Sequence, residues 1–114
     1  MRKESKMLTI SDNNITIVKK DTGSITVTLD NHTLEDGDIV YFTVAEELES
    51  PNPIISKKIT EFDDEGAANI SLSVDDTNID EGTYYYDIQV NLADGTVDTI
   101  IGPAKFKIVG GVTV

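Results

Sequence analysis

The sequence has no cysteine, no tryptophan and a single histidine among 114 residues. Without cysteine there are no disulfides, thiolate metal sites or Cys nucleophiles. One histidine, His32, leaves little for a Ser–His–acid arrangement to work with. No apolar run exceeds four residues (Ile39-Val40-Tyr41-Phe42), so no segment reads as a membrane-spanning helix. Basic charge is scarce as well: 9 Lys and Arg stand against 21 Asp and Glu, for a net charge of −12. Nucleic acid and anionic lipid both demand a basic face, so this balance argues against either as a partner. Apolar residues at 39% and aromatics at 6% allow one domain with a lean core.

Charge is unevenly spread. Residues 1–20 hold five basic side chains (Arg2, Lys3, Lys6, Lys19, Lys20) and two acids, and the remainder is strongly acidic. One reading is a solvated acidic surface that keeps the domain soluble. The other is a basic edge that docks on an acidic neighbour, such as a second copy. The opening Met1-Arg2-Lys3-Glu4-Ser5-Lys6-Met7 is basic, but no apolar stretch follows it. The expectation is synthesis in the cytoplasm without a secretion signal. Residues 1–12 read as an N-terminal arm, 13–110 as the folded domain and 111–114 as a C-terminal tail. The sequons at Asn14, Asn31 and Asn69 read as accidents of a Thr/Ser-rich β sequence.

Period two dominates the chain. Ile25, Val27 and Leu29 alternate with Ser24, Thr26 and Thr28. Val40, Phe42 and Val44 alternate with Tyr41 and Thr43. Ile54 to Phe62 is weaker, and Lys57 and Lys58 suggest an edge strand. Ile70, Leu72 and Val74 point to one face. Tyr84, Tyr86, Ile88 and Val90 make the strongest strand, and Asp94-Gly95 is the best hairpin signal. Gly102-Pro103 predicts a bulge or kink before Phe106 and Ile108. Seven or eight short antiparallel strands, several with one apolar face, predict an all-β fold, a β-sandwich. A small closed barrel is the runner-up.

Asp80-Glu81-Gly82-Thr83-Tyr84-Tyr85-Tyr86 sharpens the fold. It looks like the Asp-x-Gly/Ala-x-Tyr-x-Cys segment that begins strand F of immunoglobulin domains. There the first Tyr buries its ring and bonds back to upstream backbone. Tyr84 takes that role here, with Asp80 bonding local backbone and Gly82 permitting a tight approach. Tyr86 stands where the cysteine would be, so packing with core rings such as Phe42 and Phe106 must replace the bridge. An aromatic sugar-binding strip is the rival, but adjacent tyrosines of a strand face opposite ways.

No catalytic, cofactor or metal residues are expected. His32 reads as a loop histidine after a strand. Gly110-Gly111 is followed by no helix that could hold a phosphate. Glu35-Asp36-Gly37-Asp38, Asp63-Asp64-Glu65 and Asp75-Asp76 offer oxygen ligands for calcium if loops converge, yet none has EF-hand spacing and turns favour Asp and Gly anyway.

From Ile15 onward the order of features resembles the immunoglobulin-like domain of phage baseplate upper proteins, found in tailed phages and prophages of Gram-positive bacteria. The matching blocks are Gly37-Asp38-Ile39-Val40-Tyr41-Phe42-Thr43-Val44, Ile54-Ile55-Ser56-Lys57-Lys58-Ile59-Thr60 and Gly66-Ala67-Ala68-Asn69-Ile70-Ser71-Leu72. Gly82-Thr83-Tyr84-Tyr85-Tyr86-Asp87-Ile88-Gln89-Val90 is the clearest. Asp94-Gly95-Thr96-Val97-Asp98-Thr99-Ile100 and Phe106-Lys107-Ile108 close the match. The departure is Gly102-Pro103-Ala104, where the usual pattern lacks this proline.

The resemblance implies a non-enzymatic structural module of a tail baseplate that supports the receptor-binding apparatus. Other tail proteins, or further copies of the chain, would be its partners, and the virion its location. The alternative is an immunoglobulin-like module of a bacterial surface protein that binds carbohydrate or protein. Candidate interface residues are Leu48, Pro51, Pro53 and Ile55, in the proline-bearing loop and the strand after it.

Overall fold

The alternating segments form strands, and from residue 14 onward their apolar side chains turn to one shared core. The computed structural model describes the backbone of residues 2–6, 9–11, 14–29, 32–48 and 52–111, with side chains from residue 14 onward. In chain order the elements are β1 (Arg2–Lys6), β2 (Thr9–Ser11), β3 (Asn14–Val18), β4 (Gly23–Thr28), β5 (Ile39–Ala45) and β6 (Ile55–Ile59). Then come β7 (Ala68–Leu72), one helical turn α1 (Val74–Thr77), β8 (Gly82–Asn91) and β9 (Val97–Val109). They make a three-stranded sheet, β1-β4-β7, and a mixed six-stranded sheet, β2-β3-β9-β8-β5-β6. Residues 1–12, expected as an arm, thus supply β1 and β2. Of the expected tail, residues 112–114 lie outside the described residues. Among the described residues no helix is long and apolar enough to cross a membrane.

Ile25, Val27, Ile70 and Leu72 of the smaller sheet join Phe42, Val44, Ile88, Phe106 and Ile108 of the larger in one buried cluster. At its centre, Phe42 and Tyr86 stack at 5.5 Å between ring centroids, and Phe106 meets them edge-on at 6.2 and 6.4 Å. Tilted and edge-on contacts are the favoured aromatic geometries. Tyr84 is also buried, and its hydroxyl donates to the main-chain carbonyl of Asp80. Asp80 therefore serves the corner through its backbone. Gly82 has a different role from the expected close approach. A Cβ there would meet nothing within 4 Å, but its φ of +154° is one that side chains disfavour.

The pairing is not antiparallel throughout. β3 runs parallel to β9, with Ile15 beside Phe106 and Ile17 beside Ile108. Either direction would bury Ile15 and Ile17, so their alternation selects the face and leaves the direction open. The Lys19 N–H extends this ladder to the Val109 carbonyl at 2.9 Å. Gly102 and Pro103 do form a bulge: Tyr86 pairs with Ala104 and Ile88 with Ile101, so β9 uses one residue more than β8. Pro103, lacking an N–H, sits where the ladder spares a donor. Asp94-Gly95 forms the β8–β9 turn, with Gly95 at φ +95° and Leu92 N–H bonding Thr96 at 2.8 Å.

α1 replaces the expected end of β7. Ser73 Oγ accepts from Asp76 N–H at 3.1 Å, and Asp76 Oδ2 accepts from Ser73 N–H at 2.8 Å, a reciprocal cap. Val74, expected inward, is consequently exposed on this turn. Asp76 also meets Lys57 Nζ at 2.6 Å, joining the β6 edge of one sheet to the end of the other. Asp63 closes the opposite end of β7. Its Oδ1 accepts from Ala67 N–H at 3.0 Å, and its own N–H bonds the Ala67 carbonyl at 3.1 Å. Main-chain groups alternate sides along a strand. Ala67 and Ser73 thus have their edge-facing groups engaged, and only Asn69 and Ser71 between them face the open side of β7.

Tyr84→Phe removes the corner hydroxyl while keeping the ring. Stability in urea should fall by roughly 1 kcal/mol or more. An unchanged midpoint would show that the hydroxyl does not hold the corner.

Candidate functional site: the outer face of the six-stranded sheet

β8 lies between β9 and β5, and its side chains alternate. Tyr84, Tyr86, Ile88 and Val90 are buried, while Tyr85, Asp87, Gln89 and Asn91 are half-buried on the outer face. The register sets Ala45 opposite Tyr85, Thr43 opposite Asp87, Tyr41 opposite Gln89 and Ile39 opposite Asn91. Beyond Ala45, the loop carries Glu47 and Leu48 over this face, and the β9 bulge lifts Pro103 beside it. Together Thr43, Ala45, Glu47, Leu48, Tyr85, Asp87 and Pro103 line a groove of about 170 Å³. Small-molecule sites are typically roughly 300–1,000 Å³. The groove suits a protruding side chain better than a whole ligand.

Two acceptors on this face lack donors. Asp87 has no hydrogen bond or counter-ion among the described residues, and burial pushes its carboxyl above the usual carboxylate range. Asn91 Oδ1 is buried with no hydrogen-bond partner. They lie four residues apart on one side of β8, roughly 13 Å. Buried acceptors normally find donors, so each such exception asks for an explanation. Asp is also depleted in strands, so one at the centre of a central strand is a signal present in the sequence itself.

The expected interface residues separate. Leu48 is 55% exposed at the rim of the groove. Pro53 is exposed in the loop before β6, away from the groove lining. Pro51 lies outside the described residues. Ile55 is not a surface residue: it pairs with Val44 and is 4% exposed within the core. The alternation of β6 turns Ile55, Lys57 and Ile59 to the same side, and Ile55 sits where that side is covered. Phe42, Tyr86 and Phe106 are core rings, and Tyr84 and Asp80 form the corner. Burial holds the Tyr86 phenol at about 12. Burial, then the carboxylates of Asp80 and Glu46, raise that of Tyr84.

A second polar cluster lies at the hairpin end. Asp38 is only 2% exposed. Its Oδ1 accepts from Ala93 N–H at 2.9 Å, and its Oδ2 accepts from Glu35 N–H at 3.0 Å and from His32 Nε2 at 2.8 Å. Burial alone would raise the Asp38 pKa, but the bonds from His32, Ala93 and Glu35 outweigh it and the value is lowered. Both oxygens are engaged, so the His32–Asp38 pair clasps the loop before β5 to the β8–β9 turn. His32, read as a plain loop histidine, has this partner because the loop folds back over six residues.

Two acidic loops do converge. Glu35, Asp36 and Asp63 line one shallow depression with Leu34 and Phe62, and Leu34 N–H bonds the Gly66 carbonyl at 3.3 Å. Asp63 is committed to its own turn, accepting from Glu65 and Ala67. Among the described residues no group of three or more His, Asp or Glu is placed to hold a metal ion. Compared with protein-family models and with curated proteins, the chain matches none.

Two variants test these assignments. Asp38→Asn should cost roughly 2 kcal/mol at pH 7, since charge-assisted bonds to backbone and His32 are lost. The folded-state pKa of Asp38 is lowered, so its stabilisation exists above the unfolded value near 4 and is lost as pH falls below that. The gap between variant and parent in urea melts should therefore narrow below pH ~4; a gap constant with pH would refute the clasp. Asp87→Asn should act oppositely. A raised folded-state pKa makes the charged form a burden above pH ~4 and not below it. Partial exposure limits the gain at pH 7 to about 0.5 kcal/mol. A lower melting temperature in this variant would mean that the carboxylate has a stabilising partner.

Proposed function

We propose that this chain is a non-enzymatic, immunoglobulin-like assembly module of a phage or prophage tail baseplate, and that the outer face of its six-stranded sheet is the docking surface. The observation that carries the docking role is the half-buried Asp87 carboxylate, without a hydrogen-bond donor among the described residues, in a groove edged by the exposed Leu48. Such a face favours a protein surface that brings hydrogen-bond donors, and its small groove gives a sugar or metabolite little enclosure.

The immunoglobulin-like reading draws support from the pairings. β4 beside β7, and the run β9-β8-β5-β6, correspond to the B–E and G–F–C–C′ neighbours of immunoglobulin variable-type domains. The Tyr84 bond to Asp80 has the form of their tyrosine corner. The baseplate reading rests on the sequence resemblance described above, whose clearest block, residues 82–90, is β8 itself.

Immunogold labelling of tailed particles released from the source bacterium tests it. Gold at the distal end of the tail is the expected result. Label confined to the bacterial surface would replace this reading with that of a surface-protein module.

A further inference from the structure

We propose that the Lys19-Lys20 turn of one copy of this chain inserts into the Asp87 groove of another, giving a head-to-tail self-association. The inference rests on the assembly reading and names the partner of that face.

The turn has a feature that folding alone does not favour. Asp21 N–H bonds the Val18 carbonyl at 3.0 Å, which places Lys19 and Lys20 at the two central positions. Lys20 has φ +70°, and it is the one non-glycine residue with positive φ among those described. Glycine or asparagine is the usual choice there, because a Cβ is strained in that region. A lysine kept in a strained turn is a reason to look for a role. Lys20 is exposed, and neither Lys19 nor Lys20 has an ion-pair partner among the described residues.

The groove is the complement in shape and charge. It is concave, lined by Asp87 and Glu47, and edged by Leu48, against which a lysine stem can lie. The two features cannot meet within one copy. Lys19 is tied to Val109, while Pro103 marks the groove. The six-residue separation between them along β9 spans roughly 20 Å, far beyond a lysine's reach. The charge of −12 disfavours pairing two acidic grooves face to face. It leaves basic turn to acidic groove as the favourable contact, and beyond a Debye length of about 8 Å the general repulsion is screened at physiological salt. Such a contact is heterologous, so it propagates as an open chain or closes as a ring.

Sedimentation equilibrium on the full chain tests this. At 150 mM salt the mass should rise above 12.4 kDa with concentration, and it should return to that value at 1 M salt. Lys20→Glu and Asp87→Lys should each weaken association at least about tenfold. An equimolar mixture of the two should associate again, since each variant keeps the half that the other lost. Lys20→Asn adds a readout that a structural role would not give: a higher melting temperature together with weaker association. Circular dichroism confirms that each variant is folded. A parent chain that stays at monomer mass at every concentration overturns the proposal, as does association indifferent to Asp87→Lys. A monomeric chain that still labels phage tails would end this proposal and leave the baseplate reading standing.

Discussion

Phe42, Tyr86 and Phe106 are neighbours on the inner face of the six-stranded sheet, and their burial in one cluster with Ile25, Ile70 and Leu72 of the smaller sheet is the packing on which the two sheets depend. The chain has no cysteine, so side-chain burial does the work that a disulfide does in many small β domains. A disulfide contributes about 2–4 kcal/mol. A fully buried large apolar side chain contributes about 1.5–3 kcal/mol. Three such rings, with Ile25, Ile70 and Leu72 across from them in the cluster, more than match one bridge. The replacement differs in kind as well as in size. A covalent link acts on the unfolded chain, whereas rings act only when the strands bearing them are in register. β8 has to align with β5 and β9 before Tyr86 finds its neighbours, so the aromatic core also selects the register.

Two sheets with open edges are exposed to unwanted strand addition, and the chain limits this with charge. Asp63 and Asp76 occupy the edge-facing groups at the two ends of β7, leaving the length of two residues between them. Lys57 points inward from the β6 edge strand and is held by Asp76. The same carboxylate caps α1, and its pKa is lowered against the pull of burial by Lys57 and Ser73 together. The β7 and β6 edges are blunted in this way.

Features set by neighbours in sequence were legible before the structure was in hand. Alternation located β4, β5 and β8. Asp94-Gly95 marked the hairpin, Gly102-Pro103 the bulge, and the spacing of Asp80, Gly82 and Tyr84 the corner. Features set by distant partners were not. The parallel course of β3 depends on which strand edge is free, and Ile15 and Ile17 carry no information on that. The coverage of Ile55 comes from strands elsewhere in the chain, so its own segment does not reveal that it is buried. Asp38 gains its donors from residues 32, 35 and 93. The orphan state of Asp87 is an absence in three dimensions that no local pattern encodes. Ser73 and Asp76 are the exception, since their three-residue spacing is itself a local capping signature.

β8 shows why stability and function sit so close in this chain. Its inward residues supply the core, and its outward residues carry a carboxylate pushed up by burial and an amide oxygen without a donor. Neither acceptor gains a bonding partner from the fold among the described residues. The strained Lys20 is a departure at the opposite sign of charge. Sequences specify structures best when every local choice agrees with the fold, and real proteins depart from this mostly at functional sites. Here one departure is an anion short of donors and another is a cation held in a costly turn. Each lacks what the other supplies, and the distance between them within one copy is the ground for the proposed contact between copies.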